Sequence, residues 1–277
     1  MKTYDLVIRN AEIHTMDDQN RVIDHGTLAI KGDTIAWIGQ GEPPESAKAD
    51  REIDAAGMAL FPGFIDTHIH IFQSLLKGLG ADHRLIQWLN LSALPYGRIM
   101  TPNQHKLAAQ LACMEALKSG CTSICEFFYT NQDAELAHAC IEGMQSTGIR
   151  SVFIRVFQDT GEEYGMPTEF IEPADRAMRE VAALKKRYHE DDMFTIWTGP
   201  DVTWSTTKQG YLTMLEYCQS EHIRYSMHLK ETEVDNEMCF RYYGKDIVDL
   251  LEEIGFLTDR MLAVHCVNLT PDDIRRF

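Results

Sequence analysis

From Phe61 onward the chain repeats one pattern, an apolar strand followed by a loop and a helix. That alternation limits the possible folds more than any other feature of the sequence. The candidate strands are Phe64 to His68, Thr122 to Phe127, Arg150 to Phe157, Phe194 to Thr198, Arg224 to Leu229 and Met261 to Val267. They are nearly continuous in apolar character, as strands buried on both faces must be, which predicts a parallel sheet with helices outside it. Thr101-Pro102-Asn103-Gln104 supplies an N-cap, a proline at the first helical position and a capping-box glutamine. Leu107, Leu111, Met114 and Leu117 follow at helical spacing, and Gly120 ends the segment. A second helix is expected from Asp246 through Ile247, Leu250, Leu251 and Ile254 to Gly255. The fold class is therefore α/β, and a (β/α)8 barrel of the TIM type is the expected architecture. Such a barrel needs about eight strand–helix units, more than are present here. Thr270-Pro271-Asp272-Asp273 is another helix start, and Phe277 follows one turn later. The expectation is a barrel truncated after about six strands, a piece of a longer protein.

The first sixty residues read differently. Short strands are expected at Tyr4 to Arg9, Ala11 to Thr15, Thr27 to Lys31, Thr34 to Ile38, Arg51 to Asp54 and Met58 to Phe61. Gly32-Asp33 fits a type II′ hairpin, and Gly41 to Ser46 reads as a loop. The expected organisation is part of a small β-sandwich over residues 1–60 and a barrel over residues 61–277.

Charge narrows the partners. Lys and Arg total 26 against 42 Asp and Glu, a net charge of −16 with no offsetting basic cluster. Such a surface repels phosphate backbones and anionic lipid, so neither a nucleic acid nor a membrane is expected as partner. Met1 to Asp5 lacks the apolar stretch of a signal peptide, and no apolar run is long enough to span a bilayer. The seven cysteines are odd in number and scattered through apolar segments, which reads as reduced core thiols in a cytoplasmic protein.

The chemistry is concentrated in histidines at strand ends. In Pro62 to His70 (PGFIDTHIH), His68 and His70 are two apart, so they project to the same side at the end of the first barrel strand. Two neutral imidazoles side by side form a ready metal chelate. His228 ends another strand with Glu231 three residues on, and His265 lies in the next. If the sheet closes, these strands bring their histidines to one rim.

PGFIDTHIH, MHLKET and AVHC, in that order after an N-terminal β segment, resemble the amidohydrolase superfamily. The resemblance covers essentially the whole chain. It points to the branch holding cytosine deaminase-like enzymes, triazine hydrolases, and methylthioadenosine and S-adenosylhomocysteine deaminases. It implies one divalent metal ion, zinc before iron, held by His68, His70 and His228. An aspartate on the eighth strand completes the family site and would lie beyond Phe277. Many relatives carry a histidine after the fourth strand where this chain reads Gly199-Pro200-Asp201-Val202-Thr203-Trp204. Asp201 is the substrate-side candidate there, yet it cannot act as a neutral imidazole.

The implied reaction is removal of an amino or other substituent from a heteroaromatic ring by metal-bound hydroxide. The metal lowers the pKa of water from about 15.7 toward about 7. Glu231 is the expected proton shuttle and His265 the group that polarises the substrate where charge builds. Gln73, Trp88 and Arg98 lie in the connection after the first strand, with Gln73 and Trp88 as substrate contacts; helix packing is the alternative for Trp88. The connection after the third strand holds Gly161, Gly165 and Pro167, as a lid would. Glu126 reads as a support for the ligands or as a rim carboxylate, and Lys230 as an outward-facing neighbour. His14, His25, His83, His105, His138, His189 and His222 are assigned to the surface, His83 being the one nearest the first connection.

The partner implied is a small heterocyclic molecule, with homo-oligomerisation through open strand edges also allowed. One alternative keeps the site but opens a cyclic amide; those relatives bridge two metals with a carboxylated lysine on the fourth strand, and Phe194 to Thr198 contains no lysine. The zinc deaminases with a PCxxC signature are excluded, because none occurs. A further alternative is an inactive fragment, with weak metal retention and little turnover expected of residues 1–277 alone.

Overall fold

In the computed structural model, which describes residues 4–43 and 48–277, two sheets account for all the named strands. Met1 to Thr3, and Pro44 to Ser46 of the expected loop, lie outside the described residues. Contacts divide the chain into Met1–Phe64 and Ile65–Phe277.

In the first unit β1 (Tyr4–His14) pairs antiparallel with β2 (Val22–Lys31), which pairs antiparallel with β3 (Thr34–Gln40). β4 (Ala49–Asp54) and β5 (Ala59–Leu60) both add to β1 in parallel. These strands form one sheet. The two short strands expected before Thr15 are one strand with a register shift between Ile8 and Ala11, where Asn10 takes a φ of 62°. Gly32 has a φ of 62°, as the first turn residue of a type II′ hairpin needs.

The second sheet follows chain order: β6 (Phe64–Ile69), β7 (Cys121–Phe128), β8 (Arg150–Phe157), β9 (Phe194–Pro200), β10 (Tyr225–Leu229) and β11 (Met261–His265). The pairs from β7 to β11 are parallel. Five strand spacings across a flat sheet amount to about 24 Å. Yet the rings of His68 on β6 and His265 on β11 stand 5.5 Å apart. The sheet is therefore curled like a barrel, with the C-terminal strand ends of both edges facing one interior.

Helices connect the strands: α1 (Leu85–Trp88), α2 (Leu94–Ile99), α3 (Pro102–Ser119), α4 (Ala134–Gln145), α5 (Ala174–Arg187), α6 (Lys208–Ser220), α7 (Glu233–Tyr243), α8 (Ile247–Glu253) and α9 (Pro271–Arg276). The expected capping box at Thr101 and Gln104 is formed, and Gly120 closes α3 with a φ of 94°. The buried face of α3 is not the leucine stripe, however. Leu107 and Met114 are about half exposed, whereas Ala108, Ala109, Ala112 and Cys113 are buried. The reason is close approach: a Cβ on Gly143 of α4 would stand 2.6 Å from both Ala109 Cβ and Lys106 O, so only small side chains fit between the two helices.

Candidate metal centre and active site

The site is built at the C-terminal ends of the strands. His70 Nδ1 donates to the Phe127 carbonyl at 2.9 Å, and His228 Nδ1 donates to the Asp201 carbonyl at 3.0 Å. Each bond fixes a tautomer whose Nε2 carries a bare lone pair. Those two Nε2 atoms face each other at 3.2 Å, and His68 Nε2 lies 3.3 Å from His228 Nε2. Ligands at about 2.0–2.1 Å in tetrahedral geometry hold their donor atoms on the order of 3.3 Å apart. The donor set therefore fits a divalent ion in chemistry and in spacing. His265 extends the cluster: its ring stacks on His228 with centroids 5.2 Å apart. Ligand atoms of His68, His228 and His265 lie within 4.8 Å of one another.

Burial sets the charge states. It pushes the His68 ring down to about 3 and His265 to about 4, with the neighbouring His228 adding to both. His70 is held well below its ordinary value, again chiefly by burial. At His228 burial opposes the charged form, but Asp201 outweighs it and raises the ring; the Asp201 Oδ1 atom is 3.3 Å from His228 Nδ1. Glu231 lies 3.6 Å from His265 Nε2, and burial raises its carboxyl against the pull of His228.

These groups open on a cavity of about 200 Å³. Its apolar lining includes Leu85, Trp88, Leu89, Leu94, Met166, Val202 and Trp204. The segment between α1 and α2, Leu89–Ala93, is wound as a single π turn. Gln73 and Asp201 both line the cavity, and Gln73 Nε2 donates to the Tyr129 hydroxyl at 2.9 Å. Trp88 does so too, with its Nε1 occupied by the Leu79 carbonyl. Arg98 is elsewhere, paired with Glu169 at 2.5 Å on the surface. Glu126 is fully buried, accepting from the Ile71 amide at 2.7 Å next in sequence to His70.

Two expectations are corrected here. Lys230 faces inward, 2% exposed, held by Asp246 and Asp273. His105 is 1% exposed rather than on the surface, bonded to Thr130 Oγ1 at 3.0 Å. His83 is exposed, outside the cavity lining. Tyr129, Met166 and Trp204 were missed. Tyr129 and Trp204 follow strands β7 and β9 by one and four residues, the position that signals a rim residue in such a fold.

Residues 59–277 match the amidohydrolase family. The chain belongs to that family. It is 29% identical over 275 residues to a 5-methylthioadenosine/S-adenosylhomocysteine deaminase from Syntrophobacter fumaroxidans, covering 98% of this chain and 59% of that protein. Over 272 residues it is 29% identical to a 5'-deoxyadenosine deaminase from Methanothrix thermoacetophila, covering 98% of this chain and 59% of that protein. The chain thus spans 59% of the length of these relatives. A solved structure of an atrazine chlorohydrolase variant from Arthrobacter aurescens TC1, complexed with zinc and atraton, superposes with a TM-score of 0.87. It is 25% identical, over 98% of this chain and 63% of that one. The family expected from the histidine motifs and the barrel expected from the strand–helix alternation are borne out. Among the described residues no helix is long and apolar enough to cross a membrane.

Proposed function

We propose that this chain carries the metal site of an aminohydrolase, which removes an amino or other substituent from a small heteroaromatic ring by hydrolysis. One divalent ion, zinc first and iron second, would be held by His68, His70 and His228. The observation that carries this reading is the pair of tautomer-fixed imidazoles whose lone pairs meet at 3.2 Å, with His68 Nε2 at 3.3 Å. The deaminase names of the relatives and the zinc in the atrazine chlorohydrolase structure support it.

A divalent ion bound there supplies a water acidified from about 15.7 toward about 7. The chain's own residues do the rest. Glu231, whose burial raises its affinity for a proton, takes one from the attacking water and passes it to the ring or the leaving group. His265, held against His228 by stacking, hydrogen-bonds the substrate where charge develops. Trp88, Leu89 and Trp204 form an apolar slot that accepts a flat ring and excludes water. Gln73 and Asp201 are the polar contacts within reach of ring substituents. The free cysteines accord with a cytoplasmic setting. Residues 1–60 are read as part of a small β-sandwich domain, and residues 61–277 as the metal-dependent hydrolase barrel.

The test is ammonia release from a panel of aminopurines, aminopyrimidines and aminotriazines by zinc-loaded protein. Release from at least one panel member is expected. Opening of a cyclic amide with no ammonia from any panel member sinks the reading.

A further inference from the structure

Lys230 lies between His228 and Glu231, and the strand cannot place both of those in the cavity by alternation. Residues two apart share a face, so with His228 inward an extended chain would turn Lys230 inward and Glu231 outward. The chain instead leaves the strand after Leu229, and Lys230 takes a φ of 47°. Glu231 then lines the cavity with His228. A side chain with a Cβ in that left-handed region costs about 1–2 kcal/mol, so the turn needs a hold.

The hold is the lysine's own ammonium. Nζ is 2.8 Å from Asp246 Oδ2 and 2.9 Å from Asp273 Oδ2. Both carboxylates are anchored. Asp246 caps α8, its Oδ1 accepting from the Val248 amide at 2.9 Å. Asp273 completes the capping box of α9, its Oδ2 accepting from the Thr270 amide at 2.8 Å, with Arg276 3.8 Å away. On the backbone side, the Lys230 carbonyl accepts from the Asn268 amide at 3.0 Å, and Asn268 Nδ2 donates to the Glu231 carbonyl at 3.2 Å.

We propose that Lys230 is a positioning residue: its ammonium, clamped between the capping carboxylates of α8 and α9, holds the turn that redirects Glu231 into the cavity beside His228. The inference rests on the reading of Glu231 as proton carrier. It separates two roles a buried lysine could have. A merely structural ion pair would change stability, whereas a positioning clamp changes where Glu231 points while the histidines stay in place.

Lys230→Met removes the charge, and Lys230→Gly removes the charge while relieving the left-handed strain. Both are expected to lower kcat on the order of 100-fold, as misplacement by about 1 Å does, with KM and zinc stoichiometry near those of the unsubstituted protein. Asp273→Asn keeps an acceptor for the ammonium and is expected to lose less. Wild-type kcat in Lys230→Gly overturns the clamp, because then only the left-handed turn matters. A crystal structure of Lys230→Gly gives a readout independent of turnover: Glu231 is expected outside the cavity with His68, His70 and His228 unmoved. Glu231 still beside His265 overturns the proposal. Lack of ammonia release by the unsubstituted protein counts against the aminohydrolase reading alone, and the crystallographic comparison still decides the clamp.

Discussion

At the scale of single residues, the site is organised by what stands behind each imidazole. The Asp201 carbonyl fixes the His228 tautomer, while the Asp201 carboxylate, 3.3 Å from the same Nδ1, adds negative charge that makes the ring a stronger donor. Asp201→Asn leaves the carbonyl in place and removes only that charge. Zinc affinity is expected to fall by about tenfold, the low end for a group supporting a ligand. Competition with a chromophoric chelator measures it, and an unchanged affinity would show the carboxylate to be idle. Glu126 offers a second test. Burial raises its carboxyl from 4.5 to about 8. Between those values the folded chain keeps a proton that the unfolded chain has lost, so stability falls as pH rises, by up to about 1.4 kcal/mol per unit, and levels off above the folded value. Glu126→Gln keeps the acceptor for the Ile71 amide and removes this titration. Urea melts between about pH 5 and about pH 8 should show a steeper decline for the unsubstituted chain than for the variant. Parallel curves would refute the assignment. The histidines proposed as ligands were legible in sequence because strand alternation and local motifs point to them. Lys230 was not, since its partners Asp246 and Asp273 lie in other elements and nothing local to the lysine marks them.

At the scale of elements, the sheet gives the site its shape through close backbone contact. A Cβ on Gly199 of β9 would overlap the Ser226 carbonyl of β10. Since His228 follows Ser226 by two residues, any shift of β10 moves a donor of the proposed metal centre. Gly199→Ala is expected to destabilise the chain by about 1–3 kcal/mol, the range for overpacking, and to weaken zinc binding as well. Gly143→Ala, between α3 and α4, should carry a similar stability loss with zinc affinity retained, because that contact lies outside the sheet. Chemical denaturation paired with zinc titration compares them, and equal zinc affinity for both variants would break the link from β10 spacing to the site. The same contact explains why the leucine spacing that marks α3 as a helix does not mark its buried face. Leucine spacing marks an apolar stripe, but which stripe turns inward depends on the neighbour, and Gly143 opposite Ala109 admits only the alanine face. Strand order and the capped helix starts were legible because both depend on residues close in sequence.

At the scale of the molecule, the proposed metal centre would act as a cross-link. His68 and His228 are 160 positions apart, yet their Nε2 atoms stand 3.3 Å from each other, joining the first strand of the curled sheet to the fifth. Without a cation the facing lone pairs of His70 and His228 repel, and closure there depends on burial and on the carbonyls that hold each ring. With one, binding to the folded chain alone shifts the folding equilibrium. At a zinc concentration about 100 times its Kd the gain is about 2.7 kcal/mol. For a chain of this size that corresponds to a rise in Tm of about 5 °C. Because burial keeps His68 unprotonated down to about 3, that ring need not lose a proton to bind zinc at neutral pH. His228, raised by Asp201, must still give up a proton, so the gain should shrink as pH falls, be reversed by a chelator, and be accompanied by slower amide exchange in β6 and β10 together. His68→Ala opens the link on one side and should abolish the rise. An equal rise in that variant would place zinc somewhere other than between the strands, and the cross-link would have to be given up.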